Sequence, residues 1–210
     1  MAWLTVNYQL TSLAPLIMHS GQTADPLNKW AKLLKQITSK RKKTDADFEE
    51  MARIEFTAAL YLDANGPILP TKVIDAMVIN AAKKSREGIT AKSSVFCMNH
   101  ARLEYDGPRT AAELWADERF RFSSLVRVGN ARVVRMRPIF NDWSATVQLN
   151  LEDTLINPTR VDEWMIVAGT QVGLCDWRPQ YGRFSVVRIE EGKELKSRNG
   201  KAELAAVGIG

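Results

Sequence analysis

The sequence predicts an α+β domain with the ferredoxin-like order βαββαβ on one antiparallel sheet, and three observations carry that expectation. Near both ends and in the middle of the chain, apolar and polar residues alternate with the period of half-buried strands. Two stretches, 71–84 and 159–172, have apolar residues at helical spacing instead. With insertions at about 11–53 and 85–125 set aside, the order is strand, helix, strand, strand, helix, strand, that of a split βαβ unit. One domain is expected over 1–190, followed by a flexible tail over 191–210, charged and then rich in glycine and alanine.

The first strand runs from Trp3 to Leu10, with Leu4, Val6, Tyr8 and Leu10 on one face and Thr5, Asn7 and Gln9 on the other. Pro15, Gly21 and Pro26 mark the next stretch as a loop. Helix formers prevail from Leu27 to Met51, divided by "KRKKTDAD", where Thr44 or Asp45 offers a cap to the second helix. Every second residue from Ile54 to Leu62 is apolar, which favours a strand before the turn "DANGP"; a helix continuing from Asp47 competes with it. Thr71 is placed to cap a helix whose Val73, Ile74, Met77, Val78 and Ala81 form one stripe. Gly88, Gly107 and Pro108 break up residues 85–125, leaving room for one short helix.

Two strands come next, Val126 to Phe140 and Trp143 to Leu151, read as a hairpin across the short turn "NDW". Asn157-Pro158 opens the second amphipathic helix, with Val161, Trp164, Met165, Ala168 and Val172 as its stripe and a glycine at its exit. The segment "RFSVVRIE" is the last strand. The same element order underlies the RNA-recognition motif, which makes the domain RRM-like in outline, although many unrelated activities use this scaffold.

Composition limits the function classes. Of 210 residues 45% are hydrophobic, enough for a packed core, and no apolar run approaches the roughly 20 residues of a membrane helix. Without a secretory pattern at the start, a cytoplasmic protein is expected, with Cys97 and Cys175 as reduced thiols. Those cysteines and the two histidines, His19 and His100, lack the spacing of a zinc set, so neither metal nor cofactor is expected. A net charge of +5 and a pI near 9.3 favour a polyanionic partner.

Three groups of residues fit such a partner. The arm "NKWAKLLKQITSKRKK" contributes Lys29, Lys32, Lys35, Lys40, Arg41, Lys42 and Lys43 with no carboxylate between Asp25 and Asp45. Such runs are often only solvated faces, but Trp30 and the missing acids favour phosphate contact. Arg127, Arg132, Arg135 and Arg137 occupy both parities of a strand, so some of them line a surface. In "GLCDWRPQYGRF", Gly173 and Gly182 bracket a sharp turn from which Trp177, Arg178, Tyr181 and Arg183 project, the residue types that approach, clamp and stack on a nucleic acid. Catalysis has little support. Neither histidine accompanies a nucleophile motif, Cys175 is a packing residue, and Asp25, the one weak candidate, more often serves as a helix cap. A metal-dependent nuclease would need Asp25 to cluster with "DADFEE".

Three stretches resemble the RAMP superfamily of CRISPR effector proteins, in particular the backbone subunit that polymerises along guide RNA. They are "YQLTSLAPLIMHSG" for the first strand and its loop, "YLDANGPILPTKVIDAMVINAAKK" for the turn and helix, and "GLCDWRPQYGRF" for the glycine-rich loop. The whole chain is also similar to uncharacterised proteins of tailed phages. Cys175 stands where the family usually has glycine, and the turn at 140–143 is too short for its protruding thumb, which leaves 85–125 as the thumb candidate. The resemblance implies a non-catalytic protein that binds single-stranded nucleic acid, RNA rather than DNA, and forms a homo-oligomer or filament, with CRISPR-type subunits as further partners. By the same likeness Asp25 falls near a loop aspartate that cleaves RNA in some relatives. A phage protein that binds a protein partner, such as an inhibitor of a CRISPR complex or an assembly factor, is the competing expectation.

Overall fold

The structure, a computed structural model, describes residues 3–129 and 131–189; for Val128, Ala131 and Arg132 it describes the backbone alone. The expected tail, 191–210, lies outside the described residues. In chain order the elements are β1 (Trp3–Ser12), β2 (Leu16–Ile17), α1 (Lys29–Thr38), α2 (Asp45–Ala59), β3 (Leu62–Asp63), β4 (Gly66–Leu69), α3 (Thr71–Ala82) and α4 (Gly88–Ser94). They continue as β5 (Val95–Cys97), β6 (Ala101–Arg102), α5 (Ala111–Ala116), β7 (Arg121–Val128), β8 (Ala131–Phe140), β9 (Ser144–Glu152), α6 (Pro158–Val167) and β10 (Phe184–Ile189).

The central sheet has the order β10-β1-β9-β5, with antiparallel neighbours throughout. With α3 between β1 and β5 and α6 between β9 and β10, this is an α+β ferredoxin-like domain carrying insertions. Alternation decides which face is covered. Val6, Tyr8 and Leu10 of β1 and Ala145, Val147, Leu149 and Leu151 of β9 are buried with Met77, Val78 and Ala81 of α3 and Val161, Trp164 and Met165 of α6. The opposite face is a polar ladder in which Thr5 meets Asn150 and Thr146 meets Gln9, with Trp3 and Phe96 paired at one end, ring centroids 5.7 Å apart. No cation stands on that face among the described residues.

Four expectations are corrected. Residues 54–59 are helical, the end of α2, not a strand. A capping box between Thr44 and Asp47 starts that helix, and Ile54, Glu55, Phe56, Ala58 and Ala59 are buried on so broad a side that alternation carries no strand information. The second sheet strand is the three-residue β5, pinned by the Cys97 N–H donating to Asp75 Oδ1 at 2.8 Å and too short to show a period. The segment 126–140 does not pair with β9. It contains instead the end of β7 and all of β8 of a separate ribbon, closed at Gly129 (φ +61°) and joined at its base to β2. The sequence pair Gly129-Asn130 is a hairpin signal in its own right, and the long two-stranded ribbon is formed by 121–140 and not by 85–125. Thr71 makes no side-chain cap: Pro70 holds the cap position, and the Thr71 N–H donates to His100 Nδ1 at 3.1 Å.

Beyond α3 the chain is tied to α6 by Glu87, which accepts from Arg160 Nε at 2.8 Å and from Trp164 Nε1 at 3.2 Å. Hydrogen bonds from Arg160 first, then from Ser85, lower the Glu87 carboxyl to about 2. A carboxylate depressed in the fold stabilises above its unfolded value of 4.5 and loses that contribution as the pH falls toward about 2. The melting temperature of Glu87→Gln should accordingly lie below that of the parent at pH 7, and the gap should close between pH 4.5 and about 2 in a calorimetric series.

Candidate nucleic-acid interface

The stretch after α6 owes its shape to backbone that only glycine adopts freely. The last turn of α6 widens over Ala168–Val172, where the Gly173 N–H reaches Ala168 O at 2.8 Å, and Gly173 and Gly182 then take φ of +75° and +70°. A Cβ on Gly182 would stand 2.1 Å from Leu174 O, so the loop's crossing of itself requires glycine there. Cys175 also has a positive φ, +60°, in the left-handed region that favours glycine. Burial, the largest cause, pushes its thiol up to about 12, which keeps it protonated at neutral pH.

This loop sits on the one that follows β1. The Asp176 N–H donates to Ile17 O (2.9 Å), the Gly182 N–H to Pro15 O (2.7 Å), and Arg183 O accepts from the N–H groups of Leu13 and Ala14. His19 and Asp176 thereby come together at 3.3 Å, and Arg137 joins them from β8, its Nη2 3.3 Å from His19 Nε2 and its Nε 4.0 Å from Asp176 Oδ2. Arginine has only donors, so His19 Nε2 accepts and its proton sits on Nδ1, facing Asp176. The His19 hydrogen bond, with smaller help from the field of Arg137, holds Asp176 below the usual carboxylate range. Tyr61 donates to His19 O at 3.0 Å, and desolvation raises its hydroxyl pKa.

Register divides the arginines of the ribbon. Phe122 pairs with Arg137 and Ser124 with Arg135, so these four side chains share one face, whereas Arg127 belongs to the other. Arg135 is spoken for: it bonds Glu55 of α2, a carboxylate 7% exposed that also accepts the Met136 N–H, and so fastens ribbon to helix. On the same face Phe122 carries an aromatic cluster, its centroid 5.3 Å from that of Trp177 and 5.7 Å from that of Tyr181. Trp177 and Tyr181 are 6.0 Å apart, partly exposed, and brace the loop on the ribbon.

Three clefts joined by shared wall residues, together a furrow, lie across this region. One cleft lies between α1, α2 and β8, with Lys35, His19, Arg135 and Arg137 on its walls. His19 is shared with a second cleft, formed by Tyr61, Lys72, Cys175, Asp176 and Arg178, and Tyr61 and Lys72 are shared with a third beside Gln22 and Leu62. The structure thus brings together Lys35, Arg135, Arg137 and Arg178, and adds His19, Tyr61 and Lys72. Sequence reading passed over Lys72, although "LPTK" puts a cation in the first turn of a helix with no acid there, against the helix dipole.

Other expected residues lie apart. Lys40 is compensated, its Nζ 2.5 Å from Asp47 Oδ1, because the capping box turns that carboxylate back toward the end of α1; the arm is therefore not free of acids in three dimensions. Lys43 Nζ donates to Lys40 O, and Lys29 stands over the Trp30 ring at 4.6 Å. Lys32, Arg41, Lys42 and Arg183 are exposed outside these clefts, and the Nε of Arg127 donates to Gly129 O at the ribbon tip. The Arg132 side chain lies outside the described residues. Asp25 is exposed and accepts the Leu27 N–H at 2.9 Å in a turn, while Asn28 caps α1. Among the described residues no three His, Cys, Asp or Glu side chains are placed to share a metal ion, and no helix is long and apolar enough to cross a membrane.

No family model and no curated protein matches the chain. Among solved structures it is similar to a chain of the Type III-B Cmr-beta complex bound to cognate target RNA, determined by cryo-electron microscopy. The TM-score is 0.48 and the identity 9%, and the likeness covers 90% of this chain but only 61% of the other.

Proposed function

We propose that this protein binds single-stranded nucleic acid, with RNA as the preferred ligand, along the furrow that runs from Lys35 past His19 to Lys72 and Arg178. The observation that supports the reading is how charge is distributed. Lys35, Lys72 and Arg178 have no carboxylate partner among the described residues, as is also true of Lys32, Arg41, Lys42 and Arg183, but only the first three converge on the walls of the furrow. Cations left unmatched in a concave site attract a phosphate chain, and displacement of its counterions supplies affinity without regard to sequence. The Asp176–His19–Arg137 set keeps the floor rigid, and the exposed parts of Trp177 and Tyr181 offer surfaces on which bases stack.

Assembly of several copies along one strand, and partnership with CRISPR-type subunits, belong to the same proposal and rest on the sequence resemblance alone. The protein purified at low salt should carry nucleic acid, seen as a raised absorbance ratio at 260 against 280 nm, and should have a mass well above that of one chain. Ribonuclease should return both to the values of the free protein. Sensitivity to deoxyribonuclease alone would assign the ligand to DNA, and a clean monomer before any nuclease treatment would contradict the reading.

A further inference from the structure

Beyond Arg178 the molecule carries a second row of unmatched cations. Arg178 and Pro179 form the wall of a fourth cleft with Asn80, Lys83, Lys84, Gln171 and Val172, and Lys83 in turn borders a fifth with Ile79, Arg86, Ile89 and Lys92. The row follows α3 from its first turn, at Lys72, to its end and passes onto α4, a path of roughly 16 Å along α3 alone. Lys83, Lys84, Arg86 and Lys92 pair with no carboxylate among the described residues, although Glu87 lies between them in the chain, because Arg160 takes that carboxylate. Lys83 is held in place: a Cβ on Gly88 would stand 2.5 Å from its Cγ, so its stem lies across that glycine and its Nζ reaches Asn80 Oδ1 at 3.2 Å. Ile89, 88% exposed, projects among these charges as an apolar contact.

We infer that this row is a second half of the binding track, taking the phosphates of the same single strand after it leaves the furrow at Arg178, with Ile89 against a base. The inference rests on the proposed function and extends it to ligand length. The helix dipole favours the lysines at the end of α3 and Lys92 in the last turn of α4, but it does not account for Lys72 at the start of α3 or for Arg178 between them. One polyanion following the shared cleft walls accounts for the whole row.

The test uses Lys84→Glu with Lys92→Glu, both exposed and remote from the core, and a matching pair to glutamine, against oligouridylates of about 6 and about 16 nucleotides. The parent should bind the long oligomer at least about tenfold more tightly than the short one. The glutamate pair should keep the short oligomer's Kd within about twofold and lose most of the gain with length. The glutamine pair should lower the salt slope for the long oligomer by about 1.4, or 0.7 per phosphate contact. Equal affinity of the parent for the two lengths, or an undiminished gain in the glutamate pair, would overturn the track while leaving the furrow standing. Failure of the parent to bind either oligomer would overturn both.

Discussion

Gly182→Ala is expected to destabilise the fold by about 3 kcal/mol, through about 1–2 kcal/mol for a left-handed non-glycine residue and a similar amount for overpacking. The new Cβ would fall 2.1 Å from Leu174 O and 2.8 Å from Leu174 N, and both are backbone, with no flexible side chain to move away. For a chain of this size the melting temperature should fall by roughly 10 °C. Two controls separate a specific requirement from general sensitivity to mutation. Gly21→Ala, with nothing within 4 Å of the added atom, should leave the melting temperature unchanged. Cys175→Gly should stay within a few degrees, because relief at φ +60° offsets the lost thiol contacts. The consequence reaches the site, since the backbone that seats Asp176 on Ile17 and Gly182 on Pro15 also sets the position of Arg178.

The largest expected effect on binding comes from Lys35→Glu combined with Arg178→Glu. The two residues stand in clefts on either side of His19, both are exposed, and neither has a carboxylate partner among the described residues. Reversing both should weaken single-strand binding by about a hundredfold near 0.1 M salt while leaving the thermal melt unchanged. Lys29→Glu with Arg127→Glu carries the same change in net charge at positions outside the clefts and should cost only a small fraction of that. Comparable losses in the two pairs would show that net charge, and not the furrow, determines affinity.

Three of the four sheet strands, the two helices that cover them and the glycine loop were legible in the chain because each depends on local pattern. Alternation marks β1 and β9, the stripe from Val161 to Val172 marks α6, and Gly173 and Gly182 announce left-handed backbone. What stayed hidden depends on long-range partners. Three residues of β5 have no measurable period, and the C-terminal half of α2 reads as a strand because it is buried on a wide side. The basic groups were visible as composition, but their use was not. Asp47 neutralises Lys40 only once the capping box has folded, and Glu55 takes Arg135 across 80 residues of chain. His19, Tyr61 and Lys72 enter the candidate site through the seating of one loop on another, which no spacing in the sequence encodes.

The central claim is that a phosphate chain lies in the furrow, and the dependence of Kd on salt for a fluorescent single-stranded oligonucleotide tests it most directly. With about four phosphates neutralised between Lys35 and Arg178, the slope of log affinity against log salt should be about −3, and it should flatten by about 1.4 when Lys35 and Arg178 are both replaced by glutamine. A parent protein that fails to bind the oligonucleotide at about 50 mM salt, or a slope that the double replacement leaves unchanged, would contradict it.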